Sequence, residues 1–127
     1  MKLVLDTSLL IEYLRGEPEA LGWFEARKQD RAAVPSLALM EVYQGCHSRK
    51  ELLAAQKTLG AFTAAHVARE DSILALQLHK THCLSSGMSI PDAIIAAMTI
   101  NRDAILITFN TKDFARVAGL NCETPYG

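Results

Sequence analysis

The stretch Lys2-Leu3-Val4-Leu5-Asp6-Thr7-Ser8 is an apolar run stopped by an acid and two hydroxyls. Its length and its β-branched Val4 fit a strand buried on both faces, the kind found in parallel sheets. Asp6 then stands at the strand's end. Helical spacing follows through Leu9-Leu10-Ile11 and Tyr13-Leu14 and stops at Arg15-Gly16. Pro18 opens a second helix through Leu21, Trp23, Phe24 and Ala26. The alternation then repeats. Ala32-Ala33-Val34 is a weak strand ended by Pro35, and Ser36 is a plausible N-cap for a helix to about Cys46. Ser48-Arg49-Lys50-Glu51 has the capping-box pattern for the next helix, which Gly60 ends. Val67 falls in a short extended piece, and Asp71 begins a long helix reaching Ser85 or Ser86, with Gly87 as its stop. Pro91 begins a helix to about Ile100. Ala104-Ile105-Leu106-Ile107-Thr108 is the clearest strand, and Asn121 to Thr124 reads as a short edge strand. Strands alternating with helices predict a mostly parallel sheet with helices on both faces. Ligands of such folds sit beyond the carboxyl ends of the strands, where Asp6 and the Asn110–Asp113 loop would both lie.

A chain of 127 residues, half of them apolar and 21% charged, reads as one globular domain over residues 1–127. Its formal charge of -1 argues against a nucleic-acid binder that works by bulk positive charge. Cys46, Cys83 and Cys122 have neither metal-ligand spacing nor an even count, so they read as free thiols in a reducing compartment. Only three apolar residues separate Lys2 from Asp6, too few for a signal peptide, and no run is long enough to span a bilayer. The expected location is the cytoplasm.

The chemistry lies in acids placed at the edges of apolar segments. Asp6 closes the first strand, and Glu41 sits inside Leu37-Ala38-Leu39-Met40-Glu41-Val42. Asp92 follows Pro91 at a helix start, and Asp113 follows the strongest strand. Capping accounts for Asp6 or for Asp92 singly, and turn formation accounts for Asn110. Glu41 has Leu37, Ala38 and Gly45 as helical neighbours and so no local cation. Acids embedded in apolar sequence are costly without compensation. If the fold gathers them, a hard divalent cation is the obvious counter-charge. An all-oxygen donor set favours Mg²⁺ or Mn²⁺ over Zn²⁺. Such a site suits phosphodiester hydrolysis.

Asp6-Thr7-Ser8-Leu9-Leu10-Ile11, Glu41 in its apolar helix, Pro91-Asp92-Ala93-Ile94-Ile95-Ala96-Ala97 and Thr108-Phe109-Asn110-Thr111-Lys112-Asp113-Phe114 together resemble the PIN-domain family. Within that family the chain is similar to the VapC-type toxins, the ribonuclease half of type II toxin–antitoxin pairs. The resemblance runs from Met1 to about Thr124. It implies a three-layer α/β/α sandwich and an endoribonuclease dependent on Mg²⁺ or Mn²⁺, acting on tRNA or mRNA. It also implies a homodimer and a cognate VapB-type antitoxin. By position, Asp6, Glu41 and Asp92 match the family's core acids as catalytic residues and metal ligands. The fourth acid falls in the last motif, where Asn110 takes the earlier of two usual positions and Asp113 the later. Either one is open as the fourth ligand, Asn110 through its carbonyl oxygen.

Around these acids, Thr7 and Ser8 could orient Asp6 or a bound water, and Arg15, Lys112 and Arg116 could meet RNA phosphates. Tyr13, Trp23 and Phe24 could stack on bases, although such a cluster more often packs helices together. The first two helices are the expected dimer or antitoxin surface. His79 and His82 lack the further ligands that zinc needs. Two rival functions remain at this stage: a non-catalytic RNA- or protein-binding module, and an aspartyl phosphotransfer domain with Asp6 as nucleophile.

Overall fold

The computed structural model describes residues 2–127. Five strands form one sheet in the order β3-β2-β1-β4-β5, and every pairing is parallel. They are β1 (Lys2–Leu5), β2 (Arg31–Pro35), β3 (Ala64–Ala65), β4 (Ile105–Ile107) and β5 (Asn121–Glu123). The central strand β1 pairs with β2 on one side (Leu3 with Ala32) and with β4 on the other (Leu5 with Ile107). The chain therefore winds outward from β1 to β3, then crosses back to β4. That reversal makes the carboxyl ends of β1 and β4 the topological switch point, where ligands of such folds bind.

Alternation along β1 divides the core. Leu3 and Leu5 face a layer made by α1 (Thr7–Leu14), α2 (Pro18–Ala26), α3 (Ser36–Gln44) and α4 (Arg49–Leu59), where Leu9, Leu10, Trp23, Val42 and Leu59 are buried. Val4 faces the opposite layer of α5 (Arg69–His82), α6 (Ile90–Asn101) and α7 (Thr111–Phe114), with Ala75, Ile95, Ala96 and Phe114. This is the three-layer α/β/α arrangement, with the central strands β1 and β4 buried on both faces as their apolar runs predict. No helix among the described residues is long and apolar enough to cross a membrane.

Several boundaries differ from those expected. Ser36 is the first residue of α3, not its N-cap; Pro35 holds that place, without a side-chain cap bond. The Ser48 hydroxyl does accept from the Glu51 N–H, but the Glu51 carboxylate reaches one residue further back, to the His47 N–H. The short strand lies at Ala64–Ala65 instead of Val67. Helix α5 starts at Arg69 and stops at His82, and Gly87 takes a positive φ of 67° in the turn beyond.

Asp71 does more than begin a helix. It is 1% exposed and its carboxylate gathers the Ala68 N–H at 2.8 Å, the Asn101 amide at 2.9 Å and the Arg102 guanidinium at 3.3 Å. Arg102 also donates to the carbonyls of Met98 and His66. A buried ion pair thus ties the start of α5 to the end of α6. Burial pushes the Asp71 carboxyl up, but the Ala68 N–H, Asn101 and Arg102 together pull it below the ordinary aspartate range.

Candidate active site

Asp6 lies immediately after β1 and is 6% exposed. Its backbone is extended, as an N-cap requires, and its Oδ1 accepts the Thr7 N–H at 2.8 Å. Its Oδ2 accepts from the Thr108 hydroxyl at 2.7 Å. Capping and site-building are therefore one arrangement here. The same helix start orients Glu41 on α3, because the Thr7 hydroxyl donates to Glu41 Oε1 at 3.1 Å. Thr7 so links two of the acids, one through its backbone and one through its side chain.

Asp92 occupies the first turn of α6, where its N–H donates to the Ser89 hydroxyl at 3.2 Å. Its carboxyl is pushed above the ordinary aspartate range, first by burial and then by the negative charge of Asp6. Asp113 and Glu41 push the same way, while the Ser89 hydroxyl partly offsets them. Asp92 therefore stands within electrostatic reach of all three other acids. Among the described residues no ion pair reaches any of the four; the described pairs are Arg15–Glu12, Lys28–Glu25 and Arg102–Asp71.

Asn110 and Asp113 share one turn after β4. Asn110 precedes α7, donates its N–H to the Thr108 hydroxyl and accepts the Asp113 N–H on its carbonyl. That is the turn-forming part. Asp113 is exposed on the short helix, and its charge is the one felt at Asp92.

The sequence reading missed Thr108, which is fully buried between Asp6 and the Glu123 carbonyl that its N–H meets at 3.0 Å. Strand register was the available signal. Leu5 pairs with Ile107, so the next residues, Asp6 and Thr108, emerge side by side. The Ser8 hydroxyl is buried without a partner. Tyr13, Phe24 and Phe62 pack ring against ring at 4.6–5.7 Å, with Trp23 against Phe24 at 5.1 Å, inside the α1–α4 layer. Those rings pack helices, as expected of such a cluster.

The donor chemistry fits a hard cation: four carboxylates and, among the described residues, no ion pair to balance their charge. Among the described residues, however, no group of three or more Asp, Glu, His or Cys side chains is placed to hold a metal ion by direct contacts alone. A Mg²⁺-type ion keeps several of its own waters, so such acids would meet it partly through water.

A family model described as PIN domain matches residues 3–120. The chain belongs to the PIN-domain family. Solved structures share this PIN fold over nearly their whole length. One is a toxin–antitoxin complex from Klebsiella pneumoniae, 28% identical, with a TM-score of 0.78 and 98% of each chain covered. A DNA-bound VapBC from Salmonella typhimurium is 21% identical, with a TM-score of 0.85 and 99% of each chain covered. FitAcB from Neisseria gonorrhoeae is 17% identical, with a TM-score of 0.76 and 97% of each chain covered. No curated protein matches the chain in sequence.

Proposed function

We propose that this PIN domain is a VapC-type toxin, an endoribonuclease that works with Mg²⁺ or Mn²⁺ and is held in check by a VapB-type antitoxin. The observation that carries the reading is the state of Asp92. Its carboxyl is raised by burial and by Asp6, Asp113 and Glu41, only partly offset by the Ser89 hydroxyl, and among the described residues no ion pair reaches any of the four acids. A fold that gathers uncompensated acids at the open ends of its strands is built to receive positive charge from outside.

Asp6, Glu41 and Asp92 would hold the ion, with Asp113 as the fourth acid. When bound, a divalent ion supplies a Lewis acid that activates water and neutralises charge on a phosphate. The protein's own part is positioning. Thr7 fixes Asp6 and Glu41 relative to each other, and Ser89 steadies the turn that presents Asp92. Lys112 and Arg116 are exposed beside Asp113 and outside the described ion pairs, which suits them to the phosphates flanking the scissile bond.

A cleft near the acids suits the antitoxin. A cleft of about 550 Å³ lies beside Glu41, walled by Ile11 and Leu14 of α1, Val42 of α3 and Ala54 and Ala55 of α4. Its apolar wall, edged by Glu41 and Glu51 together with Arg15 and His47, suits an antitoxin segment that carries an apolar side chain next to polar ones. Helix α2, expected to share that surface, turns Ala20 and Trp23 into the core.

The test is cleavage of purified RNA in Mn²⁺ by the wild type and by Asp6→Asn. The wild type should cut and the variant should not, with both folded. RNA binding without cleavage by the wild type would favour the non-catalytic module.

A further inference from the structure

We infer that Thr108 is a positioning residue, whose hydroxyl holds the Asp6 carboxylate in the orientation that takes up a divalent cation; this rests on the cation reading above. The hydroxyl makes two bonds with opposite sense. Its oxygen accepts the Asn110 N–H at 3.0 Å, and it lies 2.7 Å from Asp6 Oδ2. A threonine hydroxyl has one proton. With Asn110 supplying its own, that proton is directed to Asp6. The short distance is that of a bond to a carboxylate, which is stronger than one between neutral groups.

Nothing around Thr108 offers it another orientation. It is fully buried, its N–H is bound to the Glu123 carbonyl, and its β-branched side chain is stiff about χ1. Asp6 is then gripped on both oxygens, by the Thr7 N–H on one and by Thr108 on the other. A carboxylate has roughly four acceptor sites. The two bonds fix the plane of the group and leave the remaining lone pairs for a ligand. Because Asn110 also accepts the Asp113 N–H, one turn sets Thr108 against Asp6 and starts the helix that carries Asp113.

The test measures Mn²⁺ binding by electron paramagnetic resonance of the free ion, with thermal unfolding followed in parallel. It compares wild type, Thr108→Val and Thr108→Ser. Loss of a group that orients a metal ligand weakens binding by about 10- to 100-fold. That loss is expected for Thr108→Val, which keeps the shape and removes the hydroxyl. Thr108→Ser should restore most of the affinity. Unchanged affinity in Thr108→Val overturns the inference while leaving the cation site intact. A wild type that binds no Mn²⁺ overturns the cation reading and this role with it. If the valine variant fails to fold, Thr108→Ala and Thr108→Ser make the comparison, since both lack the methyl and only serine has the hydroxyl. Equal Mn²⁺ affinity in that pair overturns the inference as well.

Discussion

Replacing Arg102 with Met keeps an apolar stem of similar length and removes the cation that faces Asp71. Removing one partner of a fully buried ion pair costs about 3–5 kcal/mol, because the other charge is stranded. Here the Asp71 side chain is 2% exposed, but that of Arg102 is 29% exposed. Asp71 would also keep the Ala68 N–H and the Asn101 amide. Water at the guanidinium and those two remaining donors lower the expected cost to about 2–3 kcal/mol. For a domain of this size, that corresponds to a Tm lower by about 6–15 °C. Differential scanning calorimetry of Arg102→Met measures it. Adding Asp71→Asn in the same chain removes the stranded charge and should recover part of the loss. The pH dependence has a definite sign. The folded Asp71 carboxyl is lower than the unfolded one, so its contribution is present above the ordinary aspartate range and disappears as pH falls through the folded value. Because Asp71 and Arg102 pin the end of α6 that lies opposite Asp92, cleavage by Arg102→Met should survive well below its new Tm. A Tm equal to that of the wild type, or a double variant no more stable than the single one, would refute the reasoning.

Asp92 should show the opposite pH sign. Its folded carboxyl is raised by burial and by Asp6, Asp113 and Glu41, so its contribution to stability is lost as pH rises through the folded value. Metal-free Asp92→Asn should therefore be more stable than wild type at neutral pH, as urea unfolding would show; equal stability would contradict the crowding of charge. Protons and cations compete for the same carboxylates, so wild-type Mn²⁺ affinity should fall on acidification while pH is still above the ordinary aspartate range. Calorimetric titration at several pH values measures this, and a flat profile would count against it. Phe114 is 1% exposed beneath α7, and Phe114→Ala should cost about 3–5 kcal/mol by denaturant unfolding. A loss below about 1 kcal/mol would mean that Phe114 does not anchor the helix carrying Asp113.

The central strands were legible because burial on both faces writes an uninterrupted apolar run, as in Leu3-Val4-Leu5 and Ile105-Leu106-Ile107. The stop at Gly16 was legible because glycine takes the positive φ of 71° there, whereas Gly60 caps α4 at an ordinary φ of -63°. The edge was not: β3 has only Ala64 and Ala65, which carry no strand signal of their own and pair because β2 offers an open edge. The acids could be named individually, but Asp92's neighbours could not, since Asp6 and Glu41 approach it only through the crossover of a parallel sheet. Thr108 lies 102 residues from the aspartate it contacts, and Asp71 lies 31 from Arg102. Local patterning reports caps and turns, so it saw Asp71 as a helix start and Thr108 as a strand end. Their second partners come from tertiary packing. Asn110 shows the converse: its turn role was readable locally, and the structure gives it that role.

Crystals soaked in Mn²⁺ and measured for anomalous scattering test the central claim most directly. A peak is expected at the carboxyl ends of β1 and β4, contacted by Asp6 and Asp92 and abolished by Asp6→Asn. A peak elsewhere, or the Asp6, Glu41 and Asp92 carboxylates turned to separate surfaces, would contradict it.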